Sequence, residues 1–365
     1  MMNREEQLYQ IALGLIPGIG YVSARTLVSY CGSASGVFKT KVSQLRKVPG
    51  IGPARIEAIK DKMLLVEAEY LLKKIRTSDI EILFYTDQAY PHRLKHYPDS
   101  PLILFQKGGL ELNRHKHVSI VGTRTPSKYG QEVCRQVVQD LKAHDCTIVS
   151  GLAYGIDTIA HHEALNSGLP TIAVLGSGLD WIYPSTNKSL AKSIINQGAL
   201  LSEFHLGTKP DKENFPMRNR IIAGISDVTI IIESEIKGGS MISAEFANQY
   251  NKDVFAVPGR IKDKNSTGCN HLIKTHKAHL LTSVKDIAYI MRWALEPAPT
   301  QMELGFELDE VSRHVFNKIQ HAQEIEIDIL HYQTQIPMSE LNTVLLNLEF
   351  QGLIRSLPGK KFALV

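Results

Sequence analysis

Apolar positions change their period along this chain. Up to about residue 78 they recur every three or four residues, as at Leu64, Leu65, Ala68, Leu71, Leu72 and Ile75, the spacing of helices with one buried face. That pattern predicts helices over Glu6–Gly14, Tyr21–Tyr30, Val42–Lys47 and Pro53–Arg76. Two short runs, Glu81–Tyr85 and Leu102–Phe105, then read as strands around a turn-rich stretch holding Pro91, Pro98 and Pro101. From His117 onward, short apolar runs alternate with amphipathic stretches. Strands are expected at Val118–Val121, Thr147–Val149, Thr171–Leu175, Ala199–Leu201, Val228–Ile232 and Val254–Val257. The intervening helices are Tyr129–His144, Ile156–Asn166, Asn187–Asn196, Arg218–Ile225 and Met241–Tyr250. Repeated βα units of this length imply an α/β fold with a doubly wound parallel, Rossmann-like sheet.

The period changes again after Glu296-Pro297-Ala298-Pro299-Thr300, which has the composition of a linker. Helices are expected at Val311–Gln320, Ile325–Gln333 and Ser339–Gln351, then a hairpin around Leu357-Pro358-Gly359-Lys360. Three helices and a β-wing outline a winged helix. The expected domains are therefore residues 1–78, 79–295 and 308–365, in keeping with a length of 365 residues.

The helical N-terminus repeats one motif. Ile16-Pro17-Gly18-Ile19-Gly20 precedes Ala24-Arg25, and Val48-Pro49-Gly50-Ile51-Gly52 precedes Ala54-Arg55. This resembles a tandem helix-hairpin-helix (SAM-like) domain, in which glycines permit a tight turn before a helix start. Such a start can hold a DNA phosphate without reading bases, and such domains also dock proteins.

Five marked loops fall near the ends of the expected strands. They are Val121-Gly122-Thr123-Arg124, Ser150-Gly151-Leu152-Ala153-Tyr154-Gly155-Ile156-Asp157, Leu175-Gly176-Ser177-Gly178, Phe215-Pro216-Met217-Arg218-Asn219-Arg220 and Gly238-Gly239-Ser240. In a parallel sheet the strand C-termini share one edge, where ligands bind. Glycine N–H groups and arginines gathered there predict an anion site. Arg124 suits a phosphate clamp. Gly151, Gly155, Gly239 and Ser240 are candidate backbone donors. Lys212, Phe215, Arg218, Asn219 and Arg220 combine an aromatic ring with cations, as single-strand binders do.

Other chemistry is less favoured. The glycines do not form G-x-G-x-x-G, so no dinucleotide cofactor is expected. Asp157 and His161, four apart, could be an acid/base pair, but a loop-setting carboxylate beside a packed histidine is the preferred reading. Cys269, His271, His276 and His279 fit no common zinc spacing, so no metal is expected.

The formal net charge of +4 permits nucleic-acid binding without demanding it. Cys31, Cys134, Cys146 and Cys269 stand far apart, as unpaired thiols in a reducing compartment would. The polar N-terminus lacks an apolar signal core, and no apolar run approaches membrane-spanning length. A cytoplasmic protein without a membrane anchor is expected.

In order along the chain, Gly122-Thr123-Arg124, Ser150–Asp157 with His161, Ile182-Tyr183-Pro184, Leu201-Ser202-Glu203, Phe215–Arg220, Ala256-Val257-Pro258-Gly259 and Asn270-His271-Leu272-Ile273 resemble the DNA-processing protein A family (DprA, also called Smf). The resemblance spans Val118 to about Ser283, and the flanking regions are similar to longer members. It implies a cytoplasmic, non-catalytic single-stranded DNA binder of natural transformation. Such a protein shields incoming strands, loads the recombinase RecA and works as a homodimer. It also implies that Arg124, Lys212, Phe215 and Arg218 to Arg220 bear on DNA.

Two rival readings remain at this stage. Gly238 to Glu245 echoes a nucleoside-monophosphate phosphoribohydrolase signature, with Glu245 as its acid, but Met241-Ile242 replaces the Gly-Thr of that loop. The winged helix could read duplex DNA, but its third helix is acidic and apolar, with Glu340 and Glu349.

Overall fold

Residues 4–113, 116–293, 308–322, 324–357 and 359–364 are described by a computed structural model. The expected linker at 296–300 and Pro358 of the expected hairpin lie outside them. The chain folds into two compact units, residues 1–295 and 296–365.

The first unit is built on a nine-stranded sheet: β1 (Glu81–Phe84), β2 (Ile103–Lys107), β3 (His117–Gly122), β4 (Thr147–Ser150), β5 (Thr171–Val174), β6 (Ala199–Ser202), β7 (Val228–Ile232), β8 (Asp253–Ala256) and β9 (His279–Leu280). Their spatial order is β1-β2-β6-β5-β4-β3-β7-β8-β9. Strands β3 to β9 pair in parallel, whereas β2 runs antiparallel to β6 and β1 antiparallel to β2. Every residue of β4, β5, β6 and β7 is buried, which is why these strands read as unbroken apolar runs. Alternate side chains serve opposite layers. Val118, Ile120, Val228 and Ile230 pack with Cys134, Val138 and Ala160, while Val121 and Ile231 pack with Ile221 and Ala244.

Winding proceeds outward from β3 in both directions, through β4, β5 and β6 on one side and β7, β8 and β9 on the other. The β3/β7 junction is therefore the switch point, where adjacent connections leave for opposite faces and open a crevice.

N-terminal to the sheet lie helices Arg4–Leu15, Tyr21–Cys31, Ala34–Lys39, Val42–Leu45, Pro53–Ile59 and Met63–Thr77. The expected single helix over 53–76 is broken at Lys60–Lys62, where the Asp61 carboxylate accepts the Met63 N–H at 2.9 Å and starts a second helix. Gly18 and Gly50 take positive φ, +71° and +75°, as the repeated turn requires. The core of these helices, including Leu13, Leu27, Leu45 and Leu72, continues into Phe84, Phe105 and Leu200 of the sheet. Residue 78 thus ends a run of helices but not a hydrophobic core.

The second unit holds helices Glu310–Ala322, Ile327–Thr334 and Met338–Phe350 with a three-stranded sheet of Glu324–Glu326, Ile354–Leu357 and Lys361–Leu364. Val315, Ile319, Leu330, Leu341, Leu345 and Leu348 form its core.

Candidate nucleic-acid interface

A cavity of about 640 Å³ opens at the β3/β7 switch point. The loop after β3 supplies Thr123 and Arg124, and the segment after β7 supplies Ser234, Glu235, Lys237 and Gly238 to Ser240. Tyr183, Lys212, Phe215, Arg218 and Asn219 complete the wall. Of the expected residues, Arg124, Lys212, Phe215, Arg218, Asn219, Gly239 and Ser240 converge here, whereas Gly151, Gly155 and Arg220 do not line the cavity.

One correction explains most of that division. The helix expected from Arg218 begins earlier, at Asn214, so Phe215 to Arg220 is the opening of the Asn214–Ile225 helix and not a loop leading into it. Pro216 fits within its first turn, because an N–H is dispensable there. Phe215, Arg218 and Asn219 then share a face at i, i+3 and i+4. Arg220, five positions on, lies about 140° round the helix axis.

Arg218 is 4% exposed, and its guanidinium donates to the Gly151 carbonyl and, at 2.8 Å, to the Val174 carbonyl. It fastens the loop after β4 to the end of β5 behind Phe215 and does not stand free as a phosphate ligand. Burial pushes its pKa below the ordinary guanidinium value, and the neighbouring Asp157 opposes that shift. Burial in turn raises the pKa of Asp157, against the pull of Arg218 and the Ala153 and Gly151 N–H groups. Those two N–H groups donate to the Asp157 carboxylate at 3.3 and 3.1 Å.

The same contacts correct the expected roles of Gly151 and Gly155. The Gly151 N–H is committed to Asp157, and a Cβ on Gly151 would collide with the Arg218 guanidinium. Gly155 has φ +76°, and a Cβ there would strike the Thr123 carbonyl. Both glycines permit close packing behind the cavity. His161 is fully buried with Nδ1 2.7 Å from the Thr171 hydroxyl, and burial lowers its pKa to about 3. Asp157 and His161 are thus a loop-setter and a packed neutral imidazole.

Arg220 is 5% exposed and pairs with Glu203 at 2.5 Å and with the Tyr21 hydroxyl at 2.9 Å. It ties the first hairpin to the sheet. Arg25 of that hairpin is also spent internally, on the Lys95, Tyr97 and Ser100 carbonyls and over the Tyr85 ring at 5.0 Å. Its counterpart Arg55 donates only to its own turn, at the Gly50 carbonyl 2.6 Å away.

The accessible part of the lining is therefore Phe215 with its neighbours. The ring is half-buried, 5.8 Å from the exposed Arg124 guanidinium carbon and 5.7 Å from the Tyr183 ring. Lys212 and Lys237 are exposed on the cavity lining. The Gly239–Gln249 helix begins there without a side-chain cap. Asn219 donates to the Gly239 carbonyl at 3.3 Å, and the Ser240 hydroxyl donates to Ser234 at 2.7 Å. Ser240 therefore presents its backbone rather than a free hydroxyl proton. Glu245 is not on the lining and pairs with Lys277 at 3.4 Å.

Sequence reasoning gave no role to Tyr183, Lys237 or Glu233. Glu233, at φ +50°, accepts the Thr123 N–H on its carbonyl at 2.8 Å and the Ser127 N–H on its carboxylate at 2.8 Å. It pins both ends of the loop bearing Arg124. A lone acidic residue after an apolar strand carries no signal of this. Lys237, directly before the diglycine, could have been noticed as a cation at a helix start.

A crevice lined by cations and aromatic rings at the switch point of a doubly wound sheet, followed in the chain by a winged helix, defines a Rossmann-like module. Residues 81–292 match the family described as DNA recombination-mediator protein A, and residues 296–360 match the DprA winged helix domain. The chain belongs to the DNA-processing protein A (DprA/Smf) family. It is 31% identical to the protein Smf of Synechocystis across 99% of both chains. It is 46% identical to the DNA processing protein DprA of Streptococcus pneumoniae over 55% of this chain and 71% of that one. The X-ray structure of S. pneumoniae DprA superposes with a TM-score of 0.67 at 36% identity, covering 77% of this chain and 97% of that one. A Helicobacter pylori DNA processing protein A structure, described for its single-stranded DNA binding mode, gives 0.53 at 31% identity over 58% and 95%.

Proposed function

We propose that this cavity binds single-stranded DNA without reading its sequence, and that the protein acts in transformation and recombination by shielding such strands and loading RecA onto them. It acts as a homodimer in the cytoplasm and performs no catalysis. The observation that carries the reading is the half-buried Phe215 ring set between Arg124 and Tyr183 in an open cavity, with Lys212 and Lys237 beside it. A ring accepts any base face, while flexible cations follow a backbone. Among the described residues no helix is long and apolar enough to cross a membrane. The test is competition: labelled single strand challenged with unlabelled single strand, duplex or mononucleotide. Single strand is expected to displace far better than either rival. Preferential displacement by duplex, or by mononucleotide with release of free base, overturns the reading. The RecA step is tested by RecA assembly on strands coated with single-strand binding protein, which this protein is expected to accelerate.

The hydrolase reading is not favoured, because the carboxylates on the cavity wall are Asp157, committed to two N–H groups, and Glu235, paired with Lys264 at 3.1 Å. A duplex reader is not favoured either. The Met338–Phe350 helix carries no lysine or arginine to meet phosphate.

A further inference from the structure

Outside the cavity stands an exposed indole that none of the features above uses. Trp181 is 42% exposed, on the segment that follows β5 at the same sheet edge. Residues 181 to 183 alternate: Trp181 and Tyr183 are exposed, while Ile182 between them packs against the core. Trp181 and Tyr183 thus stand two residues apart on one segment that Ile182 anchors to the core. Tyr183 lines the cavity beside Phe215, and Trp181 lies two residues before it on the same segment, outside the lining.

The turn holding the indole is unusually well fixed for an exposed aromatic. The Trp181 N–H donates to the Gly178 carbonyl at 2.9 Å, and the Ser177 hydroxyl donates to the Trp181 carbonyl at 2.7 Å. The Ser202 hydroxyl at the end of β6 holds the Ser177 carbonyl at 2.6 Å. A second loop is laced to this one: the Gly178 N–H donates to the Thr208 carbonyl at 2.9 Å, and the Gly207 N–H donates to both Asp180 oxygens at 3.0 Å. That lacing brings the Lys209 ammonium 5.6 Å from the indole centroid. The nearby Asp180 carboxylate is occupied by the Gly207 N–H, so it braces the lysine's loop.

We infer that Trp181 with Lys209 forms a second nucleobase-stacking subsite, which a single strand reaches by passing from the Phe215 cavity over Tyr183. Its ligand is one unpaired base with its phosphate: the indole takes the π-face and the ammonium takes the charge. A prepositioned ring costs little ordering entropy on binding. This rests on the single-strand reading above and extends it from one aromatic position to a row of three.

Length dependence tests it. Trp181→Ala is expected to weaken a twelve-residue oligothymidylate by roughly 5- to 100-fold, and to leave a dinucleotide, confined to the cavity, unchanged. Trp181→Phe is expected to recover most of the loss. Phe215→Ala is expected to weaken both lengths. An independent readout exists because the chain has two tryptophans, Trp181 and Trp293. In Trp293→Phe the twelve-mer is expected to quench indole emission, whereas the dinucleotide leaves it unchanged. If Phe215→Ala weakens binding while Trp181→Ala binds both lengths normally and Trp293→Phe shows no quenching, the subsite is wrong and the cavity stands. If neither variant changes affinity, the single-strand reading of the cavity fails as well.

Discussion

Two faces of the Asn214–Ile225 helix carry similar residues to opposite ends. One face presents Phe215 and Asn219 to the cavity, with Arg218 sewn beneath them to the loop after β4 and to the last residue of β5. The other face buries Arg220 against Glu203 and Tyr21, where the N-terminal helices meet the sheet. In sequence, Arg-Asn-Arg reads as one basic patch. In the fold it is a cavity floor and a structural rivet, and neither guanidinium is free for DNA. Counting cations therefore overstates the phosphate-binding charge. The exposed ones, Arg124, Lys212 and Lys237, come from three separate segments.

The sharpest way to break this contrast is to cut the rivet. Arg220→Ala strands a buried Glu203 carboxylate and is expected to cost about 3–5 kcal/mol of stability, read by denaturant unfolding. The double replacement Arg220→Met with Glu203→Leu removes both charges and is expected to restore most of that loss. Its affinity for single-stranded DNA should match wild type. Weakened DNA binding in a stable double variant would move Arg220 back into the interface.

Acid probes the support behind the other face. The His161 pKa is lowered by burial from 6.5 to about 3, so between those values the unfolded chain binds a proton that the folded chain refuses. This contribution to stability is complete above pH 6.5 and declines as pH falls, reaching a loss of about 2 kcal/mol at pH 5. His161→Gln cannot titrate there, so its stability deficit relative to wild type is expected to shrink by that amount between pH 7 and pH 5. A constant deficit would mean that His161 takes up its proton in the fold as readily as in the unfolded chain.

At the cavity itself, Phe215→Ala is expected to lower affinity for single strands by about 1–3 kcal/mol per stacked base, equally at low and high salt. Stability should change less than in Arg220→Ala, because the ring is only half-buried. Filter binding across a salt series separates this loss of stacking from a loss of charge.

The contrast also marks what the sequence could disclose. The sheet was legible because β4 to β7 are buried on both faces and leave unbroken apolar runs. That Arg124, Lys212 and Phe215 would come together at the strand-end edge was legible from their places near the ends of expected strands, and they do line one cavity. The two faces of the helix were not legible, because the helix was expected to start only at Arg218, which left Phe215 outside it, and because local pattern does not say what each face of a helix will meet. Gly151 and Gly155 misled for a related reason. A glycine that admits a phosphate and one that admits a neighbouring guanidinium or carbonyl look alike until the packing is known. Glu233 and the antiparallel β1–β2 edge depend on long-range pairing that local pattern does not encode.

Arg124 offers the finest test. Its guanidinium is exposed and its loop is clamped by Glu233, so Arg124→Ala should leave stability nearly untouched. On the proposed single-strand reading, what it removes is one phosphate contact. For a single strand, each such contact contributes about 0.7 to the slope of log affinity against log salt. The variant's line is therefore expected to be shallower by about 0.7, so a tenfold rise in salt narrows its deficit roughly fivefold. Phe215→Ala, by comparison, should run parallel to wild type. If the Arg124→Ala line is also parallel, the guanidinium serves the ring 5.8 Å away rather than the strand, and the phosphate path must be drawn through Lys212 and Lys237 instead.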